Sequence, residues 1–305
     1  MNMALLFLLP VACKEGHITM EQLLASLIDG LLLGFVYGLA AMGLTLIFGV
    51  MDVINLAHGP IIALGMFAIF FLSSASGLGL NPYLALPLVA VLGLLFGILM
   101  YFIAVHRVLD APHLSSLLAT FSVSMMMIGV GTTVLTTSPR NVEFFMGSLQ
   151  LGSITILGTR LIAAVISILV TAGLYLFLYR TQQGKAIRAV ANNRAASELM
   201  GIPSTRTLAL SFGIGTMLAA ISGGLIATFF SFSILSGTVY ELKSFVIVVM
   251  GGLGNPTGAL IGGLILGALE GVAPVFIPVS WVPVIEFVLF VVILLVRPAG
   301  ILGGR

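Results

Sequence analysis

The chain alternates long apolar blocks with short polar links, and the blocks show neither the two-residue alternation of strands nor the apolar stripe of a water-facing helix. A helix needs ~20 mostly apolar residues to cross ~30 Å of hydrocarbon. The pattern predicts membrane spans at 22–49, 60–76, 82–105, 114–137, 160–179, 207–233 and 281–296. Residues 244–275 divide differently. FVIVVM is too short to cross before the breaker cluster GGLGNPTG at 251–258, after which ALIGGLILGALEGV resumes, so a broken helix or two half-length segments is expected there. The expected fold is therefore all-α, a polytopic integral membrane protein with about eight to ten membrane segments, some broken or re-entrant. One permease-like domain over 1–305 is expected, with no soluble domain appended.

Composition agrees with that pattern. Apolar residues make up 60% of the chain and charged ones 7%, against roughly 25% charged in a soluble domain, and the mean hydropathy is +1.24. A net charge of +2 without a basic face excludes a nucleic-acid footprint. The lone Cys13 excludes an intrachain disulfide. The opening MNMALLFLLPVACKEGH has an apolar run but no basic n-region, which disfavours a cleaved signal peptide; residues 1–19 read as an extension, or Met20 as the start.

Charge then orients the chain. Residues 180–206 hold five of the twelve basic residues, Arg180, Lys185, Arg188, Arg194 and Arg206, which places this loop in the cytoplasm. Counting spans puts 106–113 on the same side and 138–160 outside, and Arg297 and Arg305 put the C-terminus inside. Within the loop, GKAIRAVANNRAASELMG opens after Gly184 and closes at Gly201, with Pro203 beyond, and reads as one helix with Ile187, Val190 and Ala191 on one face. It is either an interfacial helix on the lipid surface or a docking helix for a soluble partner.

Polar residues inside apolar surroundings mark candidate function. MDVINLAHGP at 51–60 is either a short surface loop or a buried helix break, with Asn55, His58 and Gly59 at the break and Pro60 starting the next helix. In GGLGNPTGALIGG, glycines and a proline free backbone N–H groups at the start of a half-helix, which favours a carboxylate. Gly254 and Asn255 can line a path, while Gly262 and Gly263 read as close-packing positions. Asp29, Glu270 and Glu286 fall in or near apolar runs, and such acids suit a proton-coupled secondary transporter of small amino acids or related solutes, the alternative reading. Asp52 and His58 lack a third metal ligand in register. The chain contains no His-Glu-x-x-His, no Gly-x-Ser-x-Gly and no Walker A motif, so no catalytic role is expected and any ATP must bind another subunit.

Four stretches in order carry a family resemblance: INLAHG at 54–59, AASELMGI at 195–202, GGLGNPTGALIGGLILGALE at 251–270 and RPAGILGG at 297–304. Over residues 22–304 the chain resembles the permease of branched-chain amino acid ABC transporters. Two departures stand out: Ala195 occupies a position that is Glu in the commonest coupling motif, and Pro60 stands where an acidic residue is frequent. The resemblance implies a bacterial inner-membrane subunit that forms the translocation path and has no cofactor of its own. Its implied partners are two cytoplasmic ATP-binding subunits, a second related permease subunit (heterodimer or homodimer), a periplasmic or lipid-anchored binding protein for leucine, isoleucine or valine, and membrane lipid. Asn55, His58, Gly59, Gly254 and Asn255 then border the substrate path, and Arg188, Arg194, Ala195, Ala196, Glu198 and Gly201 couple to the ATPase. Related systems carry other amino acids, amides or urea.

Overall fold

Thirty-two residues, Met20–Met51, form α1, the longest helix and the axis around which the others gather. The protein is described here by a computed structural model covering residues 20–74, 77–144, 146–151 and 154–303. The expectations for residues 1–19 and for Arg305 lie outside the described residues. After α1 come α2 (His58–Ser73), α3 (Pro82–Met100, continued as a π-helix to Val105) and α4 (His113–Val134). A hairpin of β1 (Ser148–Leu151) and β2 (Ile154–Leu157) leads to α5 (Gly158–Arg180), then α6 (Gln182–Asn192), α7 (Arg194–Leu199) and α8 (Ser204–Ile226). The chain ends with α9 (Ser236–Gly251), α10 (Pro256–Phe276), a 3-10 turn and α11 (Val282–Val296).

Among the described residues, seven helices are long and apolar enough to cross a membrane. The 16-residue α2 and α9 are shorter, about 24 Å at 1.5 Å per residue. Seven plus two falls within the expected number, and the fold is the polytopic all-α class. The hairpin is a small departure: the alternation in SLQL and ITIL pairs Ser148 with Leu157 and Leu151 with Ile154, as period-two patterning does in strands.

Side-chain size decides which helices are central. In α8, SFGIGTMLAAISGGL is rich in small residues, and 89% of its most apolar stretch is buried, against 11% for α11, built from Val, Leu, Ile and Phe. Between helices in a membrane close backbone packing is the attraction, whereas large aliphatics are equally content in lipid. The seam between α1 and α10 follows the same rule. Gly30, Gly34 and Gly38 meet Gly271, Gly267 and Gly263 in antiparallel order, and a Cβ on any of Gly34, Gly263 or Gly267 would strike opposing backbone within 3 Å. Gly262 instead closes on Ile247 of α9. Both therefore have the packing role expected of them.

The unsettled region 244–275 resolves as a half-length α9 followed by a full-length α10, not as two halves. Asn255 makes the junction: it accepts from Thr257 N at 3.0 Å and Gly258 N at 3.2 Å, and Pro256 starts the helix where no N–H is needed. The loop 180–206 differs from the single helix expected. Asn193 is extended (φ −158°) and its Oδ1 accepts from Ala196 N at 2.9 Å, so it ends α6 and caps α7 at once. Asn competes poorly in helix interiors and well at N-caps. Helix α6 begins at Gln182, capped by Thr181, before Gly184; Ile187 and Val190 are buried while Ala191 is exposed.

Candidate functional site

The helices α2 and α9 begin inside the bundle, and their first turns touch. A Cβ on Gly59 would strike the carbonyl oxygen of Gly237, and one on Gly237 would strike that of Gly59. The position of this start is fixed by His58, whose Nε2–H donates at 3.0 Å to the carbonyl of Ala40, in the C-terminal half of α1. The segment 52–57 therefore turns back from the end of α1 along that helix as far as Ala40. This is a buried break rather than a surface loop: Asn55 is 1% and His58 0% exposed.

Buried backbone outside a helix must find partners, and here it does. Ala57 N donates to Asn55 Oδ1 at 3.1 Å, His58 N to Asn55 O at 3.2 Å, and the Thr120 hydroxyl of α4 to Ile54 O at 3.2 Å. The matching link before α9 is held by Ser233 N donating to the Ser236 hydroxyl at 3.0 Å and by a two-way backbone bridge between Arg140 and Phe232. Two side-chain nitrogens at the break, Asn55 Nδ2 and His58 Nδ1, are buried and unpartnered. Helix α2 starts at His58, so Pro60 is its third residue rather than its first; the first-turn N–H it lacks has no intrahelical partner in any case.

Asn55, His58 and Gly59 thus come together, with Gly237 and Glu241 as neighbours that sequence reading passed over. Gly254 and Asn255 stand apart from them. They line a ~600 Å³ cleft at the other end of α9, with Tyr179, Arg188, Asn192 and the C-terminal Pro298–Gly303 stretch. Arg188 belongs to this cleft and not to the α7 turn: its Nε donates to Leu178 O at 3.1 Å and its guanidinium lies over Tyr179. Asn255 Nδ2 donates to Leu302 O at 3.2 Å, tying the RPAGILGG segment to the α9–α10 junction.

The remaining residues of the expected coupling set form a turn at the same end. Arg194 bonds Asp110 at 2.9 Å and Glu198 at 3.3 Å, which places the 106–112 link beside α7. Ala195, Ala196 and Glu198 are exposed, and Gly201 has φ +82°. The hydroxyl of Ser204 donates to Glu198, and that bond first, then Arg194, holds the Glu198 carboxyl below the usual carboxylate range. Leu199 and Met200, at 90% and 83% exposure, project from this turn. Sequence reading missed them, although two large apolar residues ahead of a helix-ending glycine were a visible signal.

The acids in the spans are mostly paired. Asp29 bonds Arg160, and Lys243 reaches Glu270 at 2.5 Å and Glu286 at 3.5 Å while lying over the Tyr37 ring. Neither Arg160 nor Lys243 had been foreseen as a partner. Among the described residues no group of three or more His, Cys, Asp or Glu is placed to hold a metal.

Residues 26–296 match the family model described as the permease component of branched-chain amino acid transport systems. The chain is 31% identical, over 92% of its length and 95% of the relative's, to the high-affinity branched-chain amino acid transport system permease protein LivH of Salmonella typhimurium. It is 30% identical, over the same shares, to the corresponding permease protein BraD of Pseudomonas aeruginosa. It is also 26% identical, over 82% of this chain and 76% of the relative, to the fructose import permease protein FruG of Bifidobacterium longum. No solved structure matches the chain.

Proposed function

The chain belongs to the permease family of branched-chain amino acid transport systems, and from that premise we propose that it imports leucine, isoleucine, valine or a related amino acid, driven by ATP bound to separate subunits. The carrying observation is the match along nearly the whole chain to permeases named for these amino acids. The path crosses the bundle at the α2–α9 junction, bordered by Asn55, His58 and Gly59. Gly254 and Asn255 act at its cytoplasmic end.

The turn formed by Arg194, Ala195, Ala196, Glu198 and Gly201 receives the stroke of the ATPase, with Leu199 and Met200 as its contact. Arg188 transmits it through the cleft it shares with Asn255. Supporting this assignment, the turn is exposed, sits among the basic residues of the chain, and the sequence holds no Walker A motif. Two ATP-binding subunits, a second permease subunit and a periplasmic binding protein complete the assembly. The pairing of Asp29, Glu270 and Glu286 with cations speaks for fixed structural charges rather than a proton relay.

The test is leucine uptake into proteoliposomes holding the full set of subunits, with components omitted singly. Uptake should require ATP, the ATP-binding subunits and the binding protein, and should persist when a protonophore collapses the proton gradient at constant ATP. Uptake that follows the proton gradient without ATP would return the function to a secondary carrier.

A further inference from the structure

Beyond Glu21 in the exposed first turn of α1, four acidic residues lie in α1, α9, α10 and α11 of the described chain: Asp29, Glu241, Glu270 and Glu286. Three have a cationic partner, Arg160 or Lys243. Among the described residues, Glu241 has neither a cationic partner nor a hydrogen bond. Its side chain is half-buried and lies against Gly59, where an added Cβ would come within 2.6 Å of its Cβ and 2.7 Å of Oε2. The carboxylate therefore sits beside the first turn of α2, whose His58 bonds the Ala40 carbonyl within α1.

An ionised group at membrane depth is costly unless it is paired or faces a cavity. The α2 N-terminus supplies part of the compensation, about half a positive charge. The remainder is open to a mobile cation, and the site's neighbours narrow its kind. Glycine at 59 lets the carboxylate lie directly against the first turn of α2, where the buried unpartnered polar atoms among the described residues, Asn55 Nδ2 and His58 Nδ1, belong to uncharged side chains. A compact donor group on an otherwise apolar molecule fits such a place. The α-ammonium of a zwitterionic aliphatic amino acid is that group, with three N–H donors for a carboxylate acceptor.

We infer that Glu241 is a specificity-determining residue, receiving the α-ammonium of the amino acid as it passes the α2–α9 junction. The inference rests on the amino-acid import reading above and deepens it. A sugar such as fructose offers no ammonium, so Glu241 gives the path a preference that solute size alone does not.

The test uses the assembled transporter in proteoliposomes, with leucine as the probe, ATP inside and the binding protein outside. Glu241→Gln should lower leucine uptake by about tenfold or more, the order expected for losing one charge-assisted hydrogen bond, while the partner subunits still co-purify. Glu241→Asp, which keeps the charge, should restore part of the uptake. Wild-type uptake by Glu241→Gln overturns the inference and leaves the proposed function standing. Loss of assembly in both variants overturns it in favour of a structural role. Collapse of wild-type uptake by a protonophore at constant ATP sinks the proposed function, and this inference with it. A wild-type transporter that carries fructose but no leucine sinks the proposed function itself, and this inference with it.

Discussion

Replacing Gly59 by Ala adds one methyl group where α2 meets α9. That methyl would lie within 2.6 Å of Glu241 Cβ and 2.7 Å of Oε2, and it would also strike the Gly237 carbonyl oxygen. Ordinary contacts begin at about 3.5 Å, so α9 must retreat by roughly 1 Å at its N-terminus. The carboxylate can swing away, but the Gly237 carbonyl belongs to backbone and cannot. Overpacking of this kind costs about 1–3 kcal/mol, and Ala recovers some 0.5–1 kcal/mol over Gly in a helix. A net loss of about 1–2 kcal/mol follows, enough to change a folded-to-unfolded ratio by a factor of roughly 5–30. Gly129 is the control. It is exposed on α4 with nothing within 4 Å of an added Cβ, so Gly129→Ala should gain about 0.5–1 kcal/mol. The two variants, matched in chemistry, should move in opposite directions in thermal unfolding of the purified protein, and only Gly59→Ala should slow uptake. Equal or greater stability of Gly59→Ala with normal uptake would refute the close approach of the two half-helices.

Other substitutions read other parts of the account. Asn55→Leu removes the acceptor of Ala57 N at 3.1 Å and leaves a buried N–H without its partner, a cost of about 1–3 kcal/mol; uptake should weaken while the binding protein's affinity for leucine, measured by calorimetry, stays unchanged. Lys243→Met strands Glu270 and Glu286 together and should destabilise by about 3–5 kcal/mol, more than Glu286→Gln does in the same unfolding assay. Glu198 titrates below its ordinary range because Ser204 and Arg194 favour its anion. Its contribution is present above the ordinary carboxylate value and lost as pH falls through the lowered one. Hydrogen exchange at 199–202 should therefore exceed the intrinsic acid dependence only under strongly acidic conditions, and Glu198→Gln should remove that step.

The spans were legible because lipid imposes a length and an apolar composition that sequence displays directly. The Asn55–His58 segment stood out too, since polar residues are scarce in apolar runs, but the residues alone left a surface loop and a buried break both open. What remained hidden were relations between distant positions. Gly59 and Gly237 are 178 residues apart by number, and only the fold shows that each leaves room for the other. Glu241 was passed over because it falls in the polar stretch VYELKS, which reads as a link until α9 is seen to start inside the bundle. The pairing of Lys243 with Glu270 and Glu286 was hidden for the same reason. In the loop, helix formers on both sides of Asn193 suggested continuity, and the double use of that residue as stop and cap divided the helix.

The central claim, that the α7 turn couples this permease to a separate ATPase, is tested most directly at Gly201. An added Cβ there meets nothing within 4 Å, and the only structural cost is the left-handed backbone at φ +82°, which Asp tolerates better than most residues. Gly201→Asp places a negative charge beside Leu199 and Met200 with little effect on the bundle. The expected result, in proteoliposomes with ATP and binding protein, is a correctly inserted permease, weakened retention of the ATP-binding subunits on purification, and loss of ATP-driven leucine uptake. Normal uptake with the ATPase still bound would contradict the account.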